Sequence, residues 1–294
     1  MHRGLPPHRP YTKRRTPIRR LPVVVLALAA AGALAVTGMA LAAGSSTAVL
    51  SFSPTNPHGV VTSGRLYLGT RTDYTAATST TRIQLNLDDD FQFNPNSFPK
   101  CNPADISGDM TMQQAMQECG PPAGATQNAW LYPTSLSHSS NGTATFNLVA
   151  ESPVACVLVF NGLGSTSEVL LFIRIQLEGV GPIDCGSPAT NTEGDTSFLV
   201  TGDLKANPAI GGDYTDPDGC STPDPRRGCQ IDLNNVSNGP LRLTALNIAF
   251  KRGNYVRARC VDPPAGNRQW NLRGTFTYAS PASTQTVNRS QTCT

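Results

Sequence analysis

The chain has 294 residues, of which 39% are apolar, 15% charged and 6% aromatic; this is enough apolar matter for a core and excludes a disordered charged tail. Lys and Arg number 23 against 20 Asp and Glu, but seven of the basic residues (Arg3, Arg9, Lys13, Arg14, Arg15, Arg19 and Arg20) lie in the first 20 residues, which hold no acid. Taking those 7 from 23 leaves 16 basic against 20 acidic residues, a net of −4, so the electrostatic basis for a nucleic-acid partner disappears.

The basic start is followed by "LPVVVLALAAAGALAVTGMALAAG", uncharged from Leu21 to Gly44. A basic region, an apolar run and a small-x-small exit at Ala40-Leu41-Ala42 predict a signal peptide over 1–42, cleaved after Ala42 or Ala43. The run approaches the roughly 20 residues that span a bilayer, so an uncleaved N-terminal anchor is the alternative. Either way the positive flank stays inside and residues 44 onward are expected outside, secreted or on the cell surface. No Cys follows the run closely, which argues against a lipoprotein anchor.

Residues 43–58 read as a short linker or edge segment, and 59–294 as a single domain, with a split near 140–150 as the alternative. Alternation of apolar and polar residues predicts strands throughout. In "RIQLNL", Ile83, Leu85 and Leu87 share one face; in "EVLLFIRIQLEG" the start is apolar on both faces, then Ile173, Ile175 and Leu177 point inward and Arg174, Gln176 and Glu178 outward. "LTALNIAFKR" contributes Leu246, Ile248 and Phe250, and "QWNLRGTFTYA" contributes Trp270, Leu272, Phe276 and Tyr278. Further strands are expected at 60–69, 128–132, 143–149, 154–161, 196–205 and 229–236. Polar outward rows mean sheets with one wet face, so the expected fold is mainly β, an antiparallel sandwich of jelly-roll-like or Ig-like type. One short helix is expected near 111–119: Thr111 and Gln114 fit a capping box, and Met112, Ala115, Met116 and Cys119 fall on one helical face. The Pro-, Gly- and Asp-rich stretch 207–228 and "GPPAGAT" at 120–126 read as loops.

Eight cysteines in an exported chain imply disulfides. They allow roughly a hundred connectivities. Pairing of sequence neighbours is the simplest: Cys101–Cys119, Cys156–Cys185, Cys220–Cys229 and Cys260–Cys293. Each loop of this size stabilises by roughly 3 kcal/mol. Structural zinc is not expected, because the closest pair is Cys220 and Cys229 and the only histidines after the leader are His58 and His138.

"LDDDFQFNPNSFPKCNPADISG…QQAMQEC" and "NYVRARC…RQWNLRGTFTYASPASTQTVNRSQTC" resemble a family of uncharacterised exported proteins of actinobacteria. The match covers about half of the mature chain. The resemblance implies export and architecture, with no activity to carry over. It also implies the pairs Cys101–Cys119 and Cys260–Cys293; Cys156, Cys185, Cys220 and Cys229 stand outside its pattern.

Catalytic signals are sparse. "NGLGST" at 161–166 is no G-x-S-x-G, and a triad would need His58 or His138, both in loop context. Glu168, Glu178 and Asp203 lie on or beside strands, where two carboxylates would suffice for glycoside hydrolysis. "DYTDPDG" at 213–219 and Asp88-Asp89-Asp90 are carboxylate clusters without calcium-loop spacing, better read as turn chemistry than as a Ca²⁺ site. Tyr67, Tyr74, Trp130, Tyr132 and Tyr214 are candidate stacking residues, with packing as the simpler role. Asn141, Asn235 and Asn288 stand in sequons, discounted because the resemblance implies a bacterial source. The expectation is a secreted or surface β-sandwich without catalytic residues, cofactor or metal, acting as a binding or cell-envelope module. Its partner would be a glycan or envelope component, not nucleic acid, and it would touch a membrane only through an uncleaved leader. The alternative is a secreted glycan-acting hydrolase using a carboxylate pair.

Overall fold

Side chains of successive strand residues point to opposite faces, so an alternating pattern puts its apolar half inside. Ser46–Ser53 (β1) shows this plainly, alternating buried and exposed along its whole length. The structure, a computed structural model, describes residues 46–55, 60–72, 79–88, 90–120, 129–131, 141–147, 153–164, 167–176, 185, 196–206, 229–237, 241–260, 268–279 and 282–293. The expected signal segment 1–42, with Ala42 and Ala43, lies outside these residues, which belong to one compact unit, Ala43–Thr294.

After β1 come Thr62–Thr72 (β2), Thr80–Leu87 (β3), Phe91–Phe93 (β4), Gly142–Asn147 (β5), Val154–Leu163 (β6) and Ser167–Ile175 (β7). Thr196–Ala206 (β8), Cys229–Asn234 (β9), Arg242–Phe250 (β10), Val256–Ala258 (β11), Gln269–Ala279 (β12) and Ala282–Thr292 (β13) follow. The one α-helix among the described residues, Met112–Glu118 (α1), carries the reciprocal Thr111–Gln114 capping box. The fold is thus mainly β, with every strand pair antiparallel. The order is β13-β12-β3-β9-β8-β7-β6-β5-β10-β2, with β1 on the far edge of β2 and β11 and β4 continuing from its start.

This single sheet curls into a sandwich until its two ends meet. No ladder joins β1 to β13; side chains bridge them instead. Gln291 Nε2 donates to Phe52 O (3.0 Å) and its Oε1 accepts from Phe52 N (2.7 Å). Arg289 Nε donates to Ala48 O (3.0 Å). A main-chain edge that would otherwise invite foreign strands is thereby covered.

The enclosed core runs from Phe52 through Phe146, Leu171, Ile231, Phe250, Trp270 and Phe276. Phe52 packs edge-on against Phe91 and Trp270, and Phe93 against Phe250 and Tyr255. Full burial of each such ring contributes roughly 1.5–3 kcal/mol.

A second apolar layer lies on the outside of β6 and β7. Cys156, Leu158, Phe160, Leu170 and Phe172 are covered there by Ile106, Met112, Ala115 and Trp130. That cover explains why both strands are apolar on both faces. Arg174, expected in solvent, is instead buried beneath it and pairs with Asp109 at 2.5 Å. Two buried asparagines anchor the cover. Asn141 Oδ1 accepts from Trp130 Nε1 (2.5 Å) and Val159 N (3.0 Å), while its Nδ2 donates to Leu131 O and Ala249 O. Asn161 Nδ2 donates to the carbonyls of Pro95, Phe98 and Pro99.

Three disulfides join described residues: Cys101–Cys119, Cys156–Cys185 and Cys260–Cys293. Cys229 is also disulfide-bonded, and Cys220, its expected partner, lies outside the described residues. The first bond ties both ends of the segment that carries α1. Disulfides of this number are the mark of a chain that matures in an oxidising environment. Among the described residues no helix is long and apolar enough to cross a membrane.

Candidate functional site

Two regions of the outer surface carry polar side chains in registered rows. The first is an open groove of about 610 Å³ over β1, β2, β10 and β5. Residues opposite one another across antiparallel strands share a face, and two such rows build it. One row is Thr47, Arg71, Ala245 and Thr145; the next is Val49, Gly69, Asn247 and Thr143. Four strands at about 4.8 Å spacing give a width of roughly 15 Å.

Local sequence features shape this groove. Gly69 makes its floor: a Cβ there would lie 2.8 Å from Asn247 Oδ1 and 3.3 Å from Val49 Cβ. A register shift between Leu243 and Ala245 places an extra residue, Thr244, in β10. Such a bulge turns a side chain out of the regular pleat. Thr244 lines the groove while its hydroxyl donates to Thr145 O at 3.0 Å. Thr70 and Thr72 border the groove from β2 with their side chains buried. On the same face, Val49 is 55% exposed and Tyr67, one row further along β2, is 42% exposed. Apolar surface thus adjoins hydroxyl, amide and guanidinium groups.

The second region is a row across β7, β8 and β9 in which Glu168 opposes Asp203 and Asp203 opposes Asp232. Asp232 is buried and bound on both oxygens: Arg82 Nε and Nη2 donate at 2.7 and 2.5 Å, and Lys205 Nζ at 3.2 Å. Burial pushes its carboxyl up, but the hydrogen bonds from Arg82 and Lys205 outweigh that and hold it below the usual carboxylate range. Asp203 pairs with Lys205 at 2.7 Å. Glu168 is placed differently. Its Oε2 is buried without a hydrogen-bond partner, and a side chain at Gly164 would collide with its carboxylate. Burial, then the neighbouring Asp203, raises its pKa.

The structure separates the residues singled out in the sequence. Glu168 and Asp203 come together, whereas Glu178 lies outside the described residues. Among the five candidate stacking residues, Tyr67 is on the open face, Trp130 is a core residue 1% exposed, and Tyr74, Tyr132 and Tyr214 lie outside the described residues. Trp130 is buried because α1 and its flanks cover the outside of β6. His58, His138, Asp89 and 213–219 also fall outside them. Asp88 accepts from Asn271 N (2.5 Å), and Asp90 pairs with Arg259 (3.3 Å), so both are tied into the strand-end framework. Among the described residues, no three His, Cys, Asp or Glu side chains group to hold a metal ion. Of the sequon asparagines, Asn141 is buried, while Asn235 and Asn288 are exposed.

Sequence reasoning missed Thr47, Val49, Gly69, Arg71, Thr145, Thr244 and Asn247. Only their registration across strands distant in sequence brings them together, and no local spacing encodes it. Fold and surface together define a disulfide-bonded antiparallel β-sandwich with an open, polar-lined groove among the described residues. No family model, curated protein or solved structure matches the chain.

Proposed function

We propose that this chain is an exported, non-catalytic binding protein of the cell envelope or cell surface, and that the groove over β1, β2, β10 and β5 takes a hydroxyl-rich ligand, a polysaccharide. The carrying observation is the composition of the groove. Hydroxyls of Thr47, Thr145 and Thr244 and the amide of Asn247 lie beside the exposed apolar surface of Val49 and Tyr67. A sugar ring presents the same pairing, with hydroxyls at its rim and C–H groups on its faces, and an aromatic ring packs against the latter. The basic, apolar leader, the disulfides and the resemblance of both cysteine blocks to exported actinobacterial proteins support export.

Binding to a panel of soluble polysaccharides, measured together with release of reducing ends, tests this reading. Saturable binding without release is the expected outcome, and Tyr67→Ala should weaken it about tenfold. Failure of every polymer to bind contradicts the proposal.

One observation favours the hydrolase reading as a second. Directly opposed residues place their Cβ atoms about 5 Å apart, so their side chains share one patch of the sheet face, and glycoside hydrolysis needs two carboxylates close together. Glu168 and Asp203 stand in that relation, with the Glu168 carboxyl pushed towards its protonated form. Release of reducing ends that Glu168→Gln abolishes would establish this reading over the first.

A further inference from the structure

Within the groove an amide and an apolar group stand side by side, and that pairing bears on the class of sugar taken there, an inference that rests on the groove being a polysaccharide site. Val49 of β1, Gly69 of β2 and Asn247 of β10 oppose one another in a single row. Residues two strands apart ordinarily stand roughly 10 Å from one another. Here the middle residue has no side chain, and its two neighbours lean over it. A Cβ at Gly69 would lie 2.8 Å from Asn247 Oδ1 and 3.3 Å from Val49 Cβ, so those two atoms are no farther apart than the sum, about 6 Å. A side chain at Gly69 would force the pair apart.

Both members of the pair are open to a ligand. Val49 is more than half exposed and Asn247 is half-buried on the groove wall. Among the described residues nothing shares a hydrogen bond with the Asn247 side-chain amide. Arg71, the charged residue among those lining the groove, is by contrast already engaged. The groups left for recognition are therefore neutral: the Asn247 amide, the Val49 methyls and the hydroxyls of Thr47 and Thr145. A plain sugar hydroxyl answers the amide and leaves Val49 against water. An acetamido substituent answers both, because its N–H donates to Asn247 Oδ1 at about 2.9 Å while its methyl carbon, two bonds from that nitrogen, packs on Val49 at about 4 Å.

We propose that the groove selects a polysaccharide of 2-acetamido sugars, with Asn247 and Val49 as the specificity-determining pair. Tyr67, diagonal to Val49 across β1 and β2, bears on the C–H face of the ring, and Thr47 and Thr145 bear on its remaining hydroxyls.

Three β-1,4-linked hexasaccharides test this on the full chain as exported: one of N-acetylglucosamine, one of glucosamine and one of glucose, alike in backbone and different at the 2-position. The N-acetylated oligomer should bind about tenfold more tightly than either of the others. That advantage should hold between roughly 50 and 500 mM salt, since no charge carries it. Val49→Ser and Asn247→Leu should each remove most of it, whereas Asn247→Asp, which keeps an acceptor oxygen in place, should retain it. Thermal midpoints show that each variant is folded, and the three oligomers on the unaltered chain decide the matter where one is not. Equal binding of the N-acetylated and glucose oligomers, tighter binding of the glucosamine one, or an advantage that survives both Val49→Ser and Asn247→Leu overturns the acetamido inference and leaves polysaccharide binding standing. Binding of none of the three while another polymer of the panel binds has the same meaning. Failure of the whole panel as well overturns the functional reading itself.

Discussion

Asp232 and Glu168 are carboxylates of the same outer row in opposite situations. Asp232 is buried but held by Arg82 and Lys205, so its folded pKa lies below the unfolded value. Its contribution is present above about pH 4 and is lost as pH falls through the folded pKa. Glu168 is pushed above its unfolded value by burial and by Asp203, so the folded state holds its proton longer. Its effect has the opposite sign: stability falls as pH rises from about 4 through the folded pKa. Asp232→Asn should therefore cost about 2 kcal/mol at neutral pH and much less near pH 3. Glu168→Gln should stabilise at neutral pH and lose that advantage below about pH 4. Thermal midpoints of both variants across this range check the signs. Neither environment was legible in the sequence. Glu168 and Asp203 could be named as strand carboxylates, but Asp232 joins them only through pairing of β8 with β9, and Gly164 only through the turn after β6.

Elements differ in how openly they are written. The helix is local, and the Thr111–Gln114 box and the apolar spacing of Met112, Ala115 and Met116 mark it before any contact is known. Strands β3, β10 and β12 are equally plain, since half of each faces the core. The polar strand β13 is not. Its sequence ASTQTVNRSQT has Val287 as its sole large apolar residue, because it closes the end of the sheet and its exposed side chains face water. The start of β7 stands out in the sequence as apolar on both faces; β6 shows the same burial only in the structure, and the cause of both lies some 50 residues upstream in the cover around α1. A seven-residue helix is marginal by itself, so the cover depends on its bonds to the sheet. Replacing Cys101 and Cys119 together by Ser should cost up to about 3 kcal/mol. Thr111→Ala should cost about 1 kcal/mol. In both variants amide exchange should accelerate at residues 112–119 well before it does in β6. Uniform acceleration across sheet and helix would mean that the cover is not a separable unit.

For the whole molecule, the decisive feature is a sheet that returns to its own beginning. The pairing of β3 with both β12 and β9 joins segments about 150 to 190 residues apart. Composition predicts an antiparallel sandwich without specifying that order, because alternation says which face is wet and nothing about neighbours. The junction of β1 and β13 rests on side chains, so it should be the sheet's weakest line. Gln291→Ala removes both hydrogen bonds to Phe52 and should lower stability by about 1–2 kcal/mol, with faster exchange in β1 than in β2. The groove lies beside this junction, on the outer face of β1 and of β2, β10 and β5, to which the ladder of β1 with β2 joins it.

The functional reading stands on that groove, and its most direct test is amide hydrogen exchange of the exported chain with and without the tightest-binding polysaccharide. Protection is expected at residues 47–51, 67–72, 143–147 and 244–248, with no change at 203–205 or 230–232. Protection centred on those β8 and β9 segments, or none on the groove strands, would contradict the account.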